Sequence, residues 1–168
     1  ILIQDENIVV SVDNVEAYEG YVVSIPVHIH FPDGLSANSA DVEIYGFSQY
    51  ADFVEINLDE SLPYNSNWTV TSNEVENSIL IAMAGANSIS GDGLFFSLYL
   101  ELNDDIDVDF VSIMISSAVF DSGEEVPTFE NGGIYILEPV PPSSSFLVEP
   151  STGLFPLTTT FTNSSDLG

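Results

Sequence analysis

Apolar and polar side chains alternate along residues 23–31, which read Val23-Ser24-Ile25-Pro26-Val27-His28-Ile29-His30-Phe31. Because successive side chains of a β-strand point to opposite faces, this period of two predicts a half-buried antiparallel strand whose apolar face meets a core. Pro26 has no N–H to donate to a neighbouring strand, so it predicts an edge position or a bulge. The Pro32-Asp33-Gly34 segment that follows predicts a turn.

The same period recurs on both sides of this stretch, with turn signals between the segments. It runs through residues 8–13, 40–45, 53–56, 68–72, 78–83, 94–102, 108–115 and 134–137. In residues 94–102 the pattern predicts that Phe96 faces the core and that Phe95 faces away from it. A phase slip at Phe110-Val111 predicts a bulge, and short helical windows are predicted only at residues 48–52 and 116–120. About nine strands at regular spacing predict an all-β antiparallel sandwich.

The charge of the chain excludes several classes of function. Its 168 residues include 27 Asp and Glu, two His, no Lys, no Arg and no Cys, for a formal charge of −27. Nothing in such a chain neutralises phosphate, so nucleic-acid binding is excluded, and an anionic membrane surface would repel it. No run of apolar residues is long enough to insert into a membrane. Lysine and cysteine nucleophiles are missing, as is a Gly-x-Ser-x-Gly elbow, so we expect no enzyme.

The same composition favours a location outside the cell. An acidic, lysine-free surface suits surroundings rich in cations, which screen its self-repulsion. It also offers no cleavage site to trypsin-like proteases. We therefore expect a secreted protein associated with the cell surface, with compositional drift in a salt-adapted lineage as the alternative. Residues 1–20 lack the pattern of a signal peptide, and a start at Ile1 without Met predicts a processed or excised segment.

A break in composition divides the chain. Residues 139–145 form a linker rich in Pro and Ser. We predict the sandwich in residues 1–138 and a separate short segment in residues 146–168. Strand-like stretches at 146–150 and 157–163 flank a turn, but twenty-odd residues bury too little apolar surface to fold alone.

Both parts resemble known families. Residues from about 7 to 138 resemble a cohesin-like module, which implies a jelly-roll sandwich, and the order of their segments carries the likeness. The matching segments are residues 19–27, 40–44, 90–98 and 131–136. Residues 146–168 resemble the first strands of a PKD-like domain, an immunoglobulin-like spacer, and end before its Trp-x-Phe-Gly-Asp-Gly-like centre. The segment is therefore expected to be the beginning of a longer domain or to be completed by another chain.

The cohesin-like resemblance implies a docking face for a dockerin-like partner. Asp41, Glu43 and Tyr45 point away from the core if Val42 and Ile44 point into it. Leu80 is predicted on the outward side of another strand of that face. The function expected is a non-catalytic extracellular module for protein–protein assembly at the cell surface, and an ordinary outer sheet face is the alternative interpretation of these residues.

Two other functions remain open. The chain could be a self-assembling fibre subunit in which residues 1–3 or the C-terminal segment complete a neighbouring sandwich. It could also be a carbohydrate-binding module, in which exposed aromatic side chains stack on sugars. The aromatic candidates are Trp68, Tyr18, Tyr21, Tyr64 and Tyr99.

Several acidic and histidine side chains are candidate cation ligands. Two carboxylate groups suggest possible Ca²⁺ sites, and the alternative is a solvated surface. The first is Asp105, Asp107 and Asp109, predicted on one face of a strand; the second is Asp121, Glu124 and Glu125 in a loop. The His28-x-His30 pair could chelate zinc or copper with a third ligand from a neighbouring strand, or could simply face solvent.

Overall fold

The structure is a computed structural model that describes residues 7–121 and 126–139, together with the strand backbone of residues 146–149 and 160–163. The chain divides into two compact units, Ile1–Leu137 and Glu138–Gly168. The described elements of the first unit are β1 (Val9–Val12), β2 (Asn14–Tyr18), β3 (Val22–His30), β4 (Ala37–Tyr45), β5 (Ala51–Asn57), α1 (Leu62–Asn65), β6 (Thr69–Val75), β7 (Ser78–Ile89), β8 (Asp92–Leu102), β9 (Phe110–Phe120), β10 (Thr128–Glu130) and β11 (Gly132–Leu137).

Two sheets form the first unit. One has five strands in the order β10-β1-β3-β8-β5, and the other has six in the order β2-β11-β9-β4-β7-β6. Neighbouring strands are antiparallel, except that β1 pairs with β10 and β2 with β11 in parallel. The prediction of an all-β sandwich is confirmed. In the second unit, β12 (Phe146–Glu149) and β13 (Thr160–Asn163) pair with each other in antiparallel register.

The strand count exceeds the predicted one because the first and last strands each switch sheets. β1 and β2 are separated only by Asp13, and β10 and β11 only by Asn131. Asn131 lies at the crossing itself, where its Oδ1 accepts a hydrogen bond of 3.1 Å from the Ile115 N–H. The Asn131-Gly132 step is therefore a passage between sheets.

The core fills the space between the sheets with the apolar side chains that alternate along the strands. An aromatic cluster lies within it: the ring centroids of Phe31 and Phe120 are 5.5 Å apart, those of Phe95 and Phe120 6.0 Å, and those of Phe95 and Phe96 5.2 Å. Both Phe95 and Phe96 are completely buried, so the prediction that Phe95 faces away from the core is wrong.

A bulge between β3 and β8 explains this error. Val27 pairs with Phe96 and His28 pairs with Leu94, which leaves Phe95 without a partner in β3. An extra residue in one strand resets the alternation, so two consecutive side chains can point into the core. Pro26 lies one residue before this irregularity, but β3 is central in its sheet, so the edge position is wrong and the neighbouring bulge agrees with the prediction.

Other local predictions need correction. Residues 116–120 belong to β9, and residues 51 and 52 to β5, so neither window is helical. The described helix is α1, where Ser61 caps the first turn by accepting a hydrogen bond of 3.1 Å from the Tyr64 N–H. The bulge predicted at Phe110-Val111 is wrong, because β9 begins at Phe110 and pairs with β11 there in unbroken register. No helix among the described residues is long and apolar enough to span a membrane.

Candidate functional site on the six-stranded sheet

A groove of about 350 Å³ lies on the outer face of β6, β7, β4 and β9. Its lining includes three of the four residues predicted to contact a partner, namely Asp41, Glu43 and Leu80. Tyr45 lies on the same strand and the same face as Asp41 and Glu43, but outside the lining. The structure thus brings most of the predicted contact residues into one concave site, while their role as partner contacts stays a prediction.

Alternation along β4 and its register with both neighbours create this groove. Val42 and Ile44 are buried, so Asp41 and Glu43 project from the opposite side of the strand. Asp41 lies between Ala82 of β7 and Val119 of β9. Glu43 lies between Leu80 and Ser117 on the same two strands. Each carboxylate therefore has at least one apolar neighbour in the groove.

Two serine hydroxyls hold the Glu43 carboxylate. Ser78 Oγ donates to Glu43 Oε1 at 2.8 Å, and Ser116 Oγ donates to Glu43 Oε2 at 2.7 Å. Ser116 is available because the register between β4 and β9 shifts: Ile44 pairs with Ile115 and Glu43 with Ser117. The hydrogen bonds from Ser116 and, secondarily, from Ser78 lower the pKa of Glu43 below its ordinary value, because they favour the charged form.

Replacing both hydroxyls should raise the pKa of Glu43. In the Ser78→Ala/Ser116→Ala variant the carboxylate loses both donors, so its titration, followed by NMR of the carboxyl carbon, should move to higher pH. Because the folded-state pKa lies below the unfolded one, the wild-type stabilisation is complete above the unfolded pKa and is lost as pH falls through the folded pKa. Ser117→Ala is the control, and an unchanged titration in the double variant would contradict the assignment.

Sequence reasoning missed several residues of this site. Val119, with 62% of its surface exposed, and Ser117 line the groove, but both fall in the window predicted as helical. Ser116 lies in the same window, and Ser78 lay on a predicted strand without any assigned role. The period of two from Val111 through Ile115 was the available signal that the strand continues.

The aromatic candidates do not form one platform. Trp68 is buried, and its Nε1 donates to the Asn87 carbonyl at 2.7 Å. Tyr18, Tyr21 and Tyr64 are exposed, but they lie in β2, the turn before β3 and α1, respectively. A close exposed pair occurs elsewhere, between Phe110 and Tyr135, whose ring centroids are 4.8 Å apart.

The first candidate Ca²⁺ group lies in the connection between β8 and β9, and its assignment to a strand is wrong. The predicted alternation of side chains is nevertheless present in this connection. Ile106 and Val108 pack against the core. The side chains of Asp105, Asp107 and Asp109 are exposed. Across the described residues, no group of three or more His, Asp or Glu is arranged to hold a metal ion.

The other candidate ligands have protein partners. The Asp121 carboxylate accepts hydrogen bonds of 2.8 and 3.3 Å from the N–H groups of Asn38 and Ser39, while Glu124 and Glu125 lie outside the described residues. His28 Nε2 is 3.2 Å from Asp13 Oδ2, and His30 pairs with Asp92. Each imidazole thus faces a different carboxylate.

Comparison with known proteins places this fold. The chain matches no protein family model, and no curated protein is similar to it. Its structure, however, is similar to solved cohesin domains. A cohesin from Clostridium thermocellum, solved in a type I cohesin–dockerin complex, is 20% identical with a TM-score of 0.66 over 78% of this chain and 99% of the other.

Two further solved cohesins have folds similar to this chain. The sixth cohesin of scaffoldin B from Acetivibrio cellulolyticus, solved with the Cel5 dockerin, is 18% identical with a TM-score of 0.67 over 78% of this chain and 99% of the other. A non-cellulosomal cohesin from the archaeon Archaeoglobus fulgidus is 20% identical with a TM-score of 0.62 over 79% and 92%. The PKD-like resemblance of residues 146–168 stays a prediction. The chain has the jelly-roll sandwich fold of cohesin domains.

Proposed function

We propose that this chain is a non-catalytic recognition module that binds a dockerin-type protein partner through the groove on β6, β7, β4 and β9. The observation that carries the proposal is the groove itself, in which exposed apolar side chains flank two carboxylates. The similar folds solved with dockerin partners support the same function. Assembly at the cell surface is the proposed setting, supported by the acidic, lysine-free composition.

The physical properties of the groove suit protein recognition. Leu80 is 43% exposed and Val119 is 62% exposed, so both side chains still have apolar surface to remove from water. Covering a Val or Leu side chain completely contributes about 1.5–3 kcal/mol. The groove also lies on paired strands, and a rigid platform loses little entropy when a partner docks.

Substitution of the apolar lining tests this function. The full chain is titrated by calorimetry against dockerin modules from its own source organism, and Leu80→Ala and Val119→Ala are compared with wild type. We expect one-to-one binding that each variant weakens by roughly tenfold, because about 1.4 kcal/mol of contact corresponds to a factor of ten. Val54→Ala is the matched control, since Val54 is an exposed valine on β5 of the other sheet.

Two results would contradict the proposal. The first is dockerin binding that Leu80→Ala and Val119→Ala leave unchanged, which would place the contact elsewhere. The second is an absence of dockerin binding combined with polymers in sedimentation experiments. That result would favour the fibre subunit joined by strand exchange.

A further inference from the structure

We propose that Glu43 determines the specificity of the groove by accepting a guanidinium or ammonium group from the partner, so that the module selects proteins that present an Arg or Lys beside apolar side chains. This inference rests on the proposed function of the groove. It goes further by naming the residue that selects the partner and the chemistry that it selects.

The hydrogen bonds of Glu43 leave room for such a cation. Each oxygen of an ionised carboxylate offers about two acceptor positions. Ser78 occupies one position on Oε1 and Ser116 one on Oε2, so each oxygen keeps another acceptor position. A guanidinium group can donate two parallel N–H bonds to the two oxygens of one carboxylate. The donors come from the strands on both sides of β4, so the carboxylate is oriented before a partner arrives.

The charge of the whole chain identifies the occupant as a different protein. The groove contains two carboxylates, and the chain has no Lys or Arg to neutralise them. A second copy would bring a further formal charge of −27. Its histidines would not help, because His28 and His30 already pair with Asp13 and Asp92. Charge complementarity therefore requires a partner that carries its own cation.

The surroundings of the two carboxylates distinguish Glu43 from Asp41. The cross-strand neighbours of Asp41 are Ala82 and Val119, neither of which has a hydroxyl to orient it. Glu43 is held by Ser78 and Ser116. A carboxylate that is already oriented loses less side-chain entropy on pairing with a cation. The geometry thus assigns the stronger cation contact to Glu43.

Selection from a binder library tests this assignment and does not require the natural partner. The probe is a phage-displayed two-helix library on a dockerin scaffold with all surface positions randomised, selected against the full chain. Binders should be enriched in Arg or Lys, and Glu43→Gln should weaken them at least tenfold. Glu55→Gln is the control, because it removes the same charge from an exposed position on β5. Ser78→Ala/Ser116→Ala keeps the charge but frees the carboxylate, and should produce a smaller loss.

The outcomes separate this inference from the proposed function. Binders that Leu80→Ala weakens but that bind Glu43→Gln as well as wild type would overturn the role of Glu43 and leave the groove as the binding site. Binders whose affinity neither Leu80→Ala nor Glu43→Gln changes would contradict both proposals. A selection that yields no binder would also contradict both. Melting temperatures of all variants show whether a loss of binding reflects a loss of folding.

Discussion

Phe95→Ala should reduce the free energy of unfolding by about 3–5 kcal/mol, the usual cost of truncating a buried phenylalanine. Phe95 is 0% exposed and packs against Phe96 and Phe120 in the aromatic cluster. The alanine variant would lose this apolar burial and leave a cavity between the sheets. Unfolding in urea, followed by tryptophan fluorescence, measures the difference, because Trp68 is also buried.

Phe110→Ala is the matched control for this prediction. Phe110 begins β9 and is exposed, with Tyr135 as its aromatic neighbour. Its truncation removes one surface contact, so a loss of about 1 kcal/mol is expected. Equal and small losses at both positions would mean that Phe95 faces solvent, as simple alternation predicts, and that the bulge opposite Val27 and His28 is absent.

The sequence predicts the sandwich well because alternation is a local property. A strand with one buried face alternates, so most strands of the first unit can be recognised from their own residues. The short strands β2 and β10 are not among the predicted segments. Bulges and sheet crossings are different, because they depend on pairing between distant segments. The predicted orientation of Phe95 is wrong for this reason, because its burial follows from the register between β3 and β8.

In the candidate site, too, the sequence predicts the side chains that follow from local alternation and misses those that depend on pairing between strands. Asp41, Glu43 and Leu80 each lie on the outward side of a strand whose alternation is clear. Val119 is 62% exposed and Leu80 is 43% exposed, but Val119 is not among the predicted contact residues because residues 116–120 are predicted to be helical. That Asp41 lies between Ala82 and Val119 depends on two inter-strand registers, and no local pattern specifies either of them.

Register irregularities link the fold to the proposed specificity. The shift between β4 and β9 adds Ser116 to the strand opposite Glu43, and its hydroxyl reaches the carboxylate. A bulge can re-aim a side chain in this way. The extra residue in β8 turns Phe95 inward, and the extra residue in β9 places Ser116 beside the groove. Alternation of apolar and polar residues predicts neither irregularity, and only the second concerns the proposed partner selection.

Gly132→Ala should strongly destabilise the crossing between the sheets, with an expected loss of about 3 kcal/mol, the upper end of the usual cost of overpacking. A Cβ at this position would lie 2.2 Å from the Val12 carbonyl oxygen and 2.6 Å from that of Asp13. Both obstacles are backbone atoms at the point where β1 passes into β2, so they cannot move aside without breaking strand pairs. The parallel pairings of β1 with β10 and of β2 with β11 would both be strained.

Gly91→Ala separates this steric effect from the general cost of replacing glycine. No atom lies within 4 Å of a Cβ at Gly91, and its φ of +75° makes the backbone strain the main expected cost, about 1–2 kcal/mol. Urea unfolding of both variants should therefore show the larger loss at Gly132. Equal losses of unfolding free energy would contradict the close approach of Gly132 to the Val12 carbonyl. They would mean that β10 and β11 can move relative to β1 and β2 to make room for a methyl group.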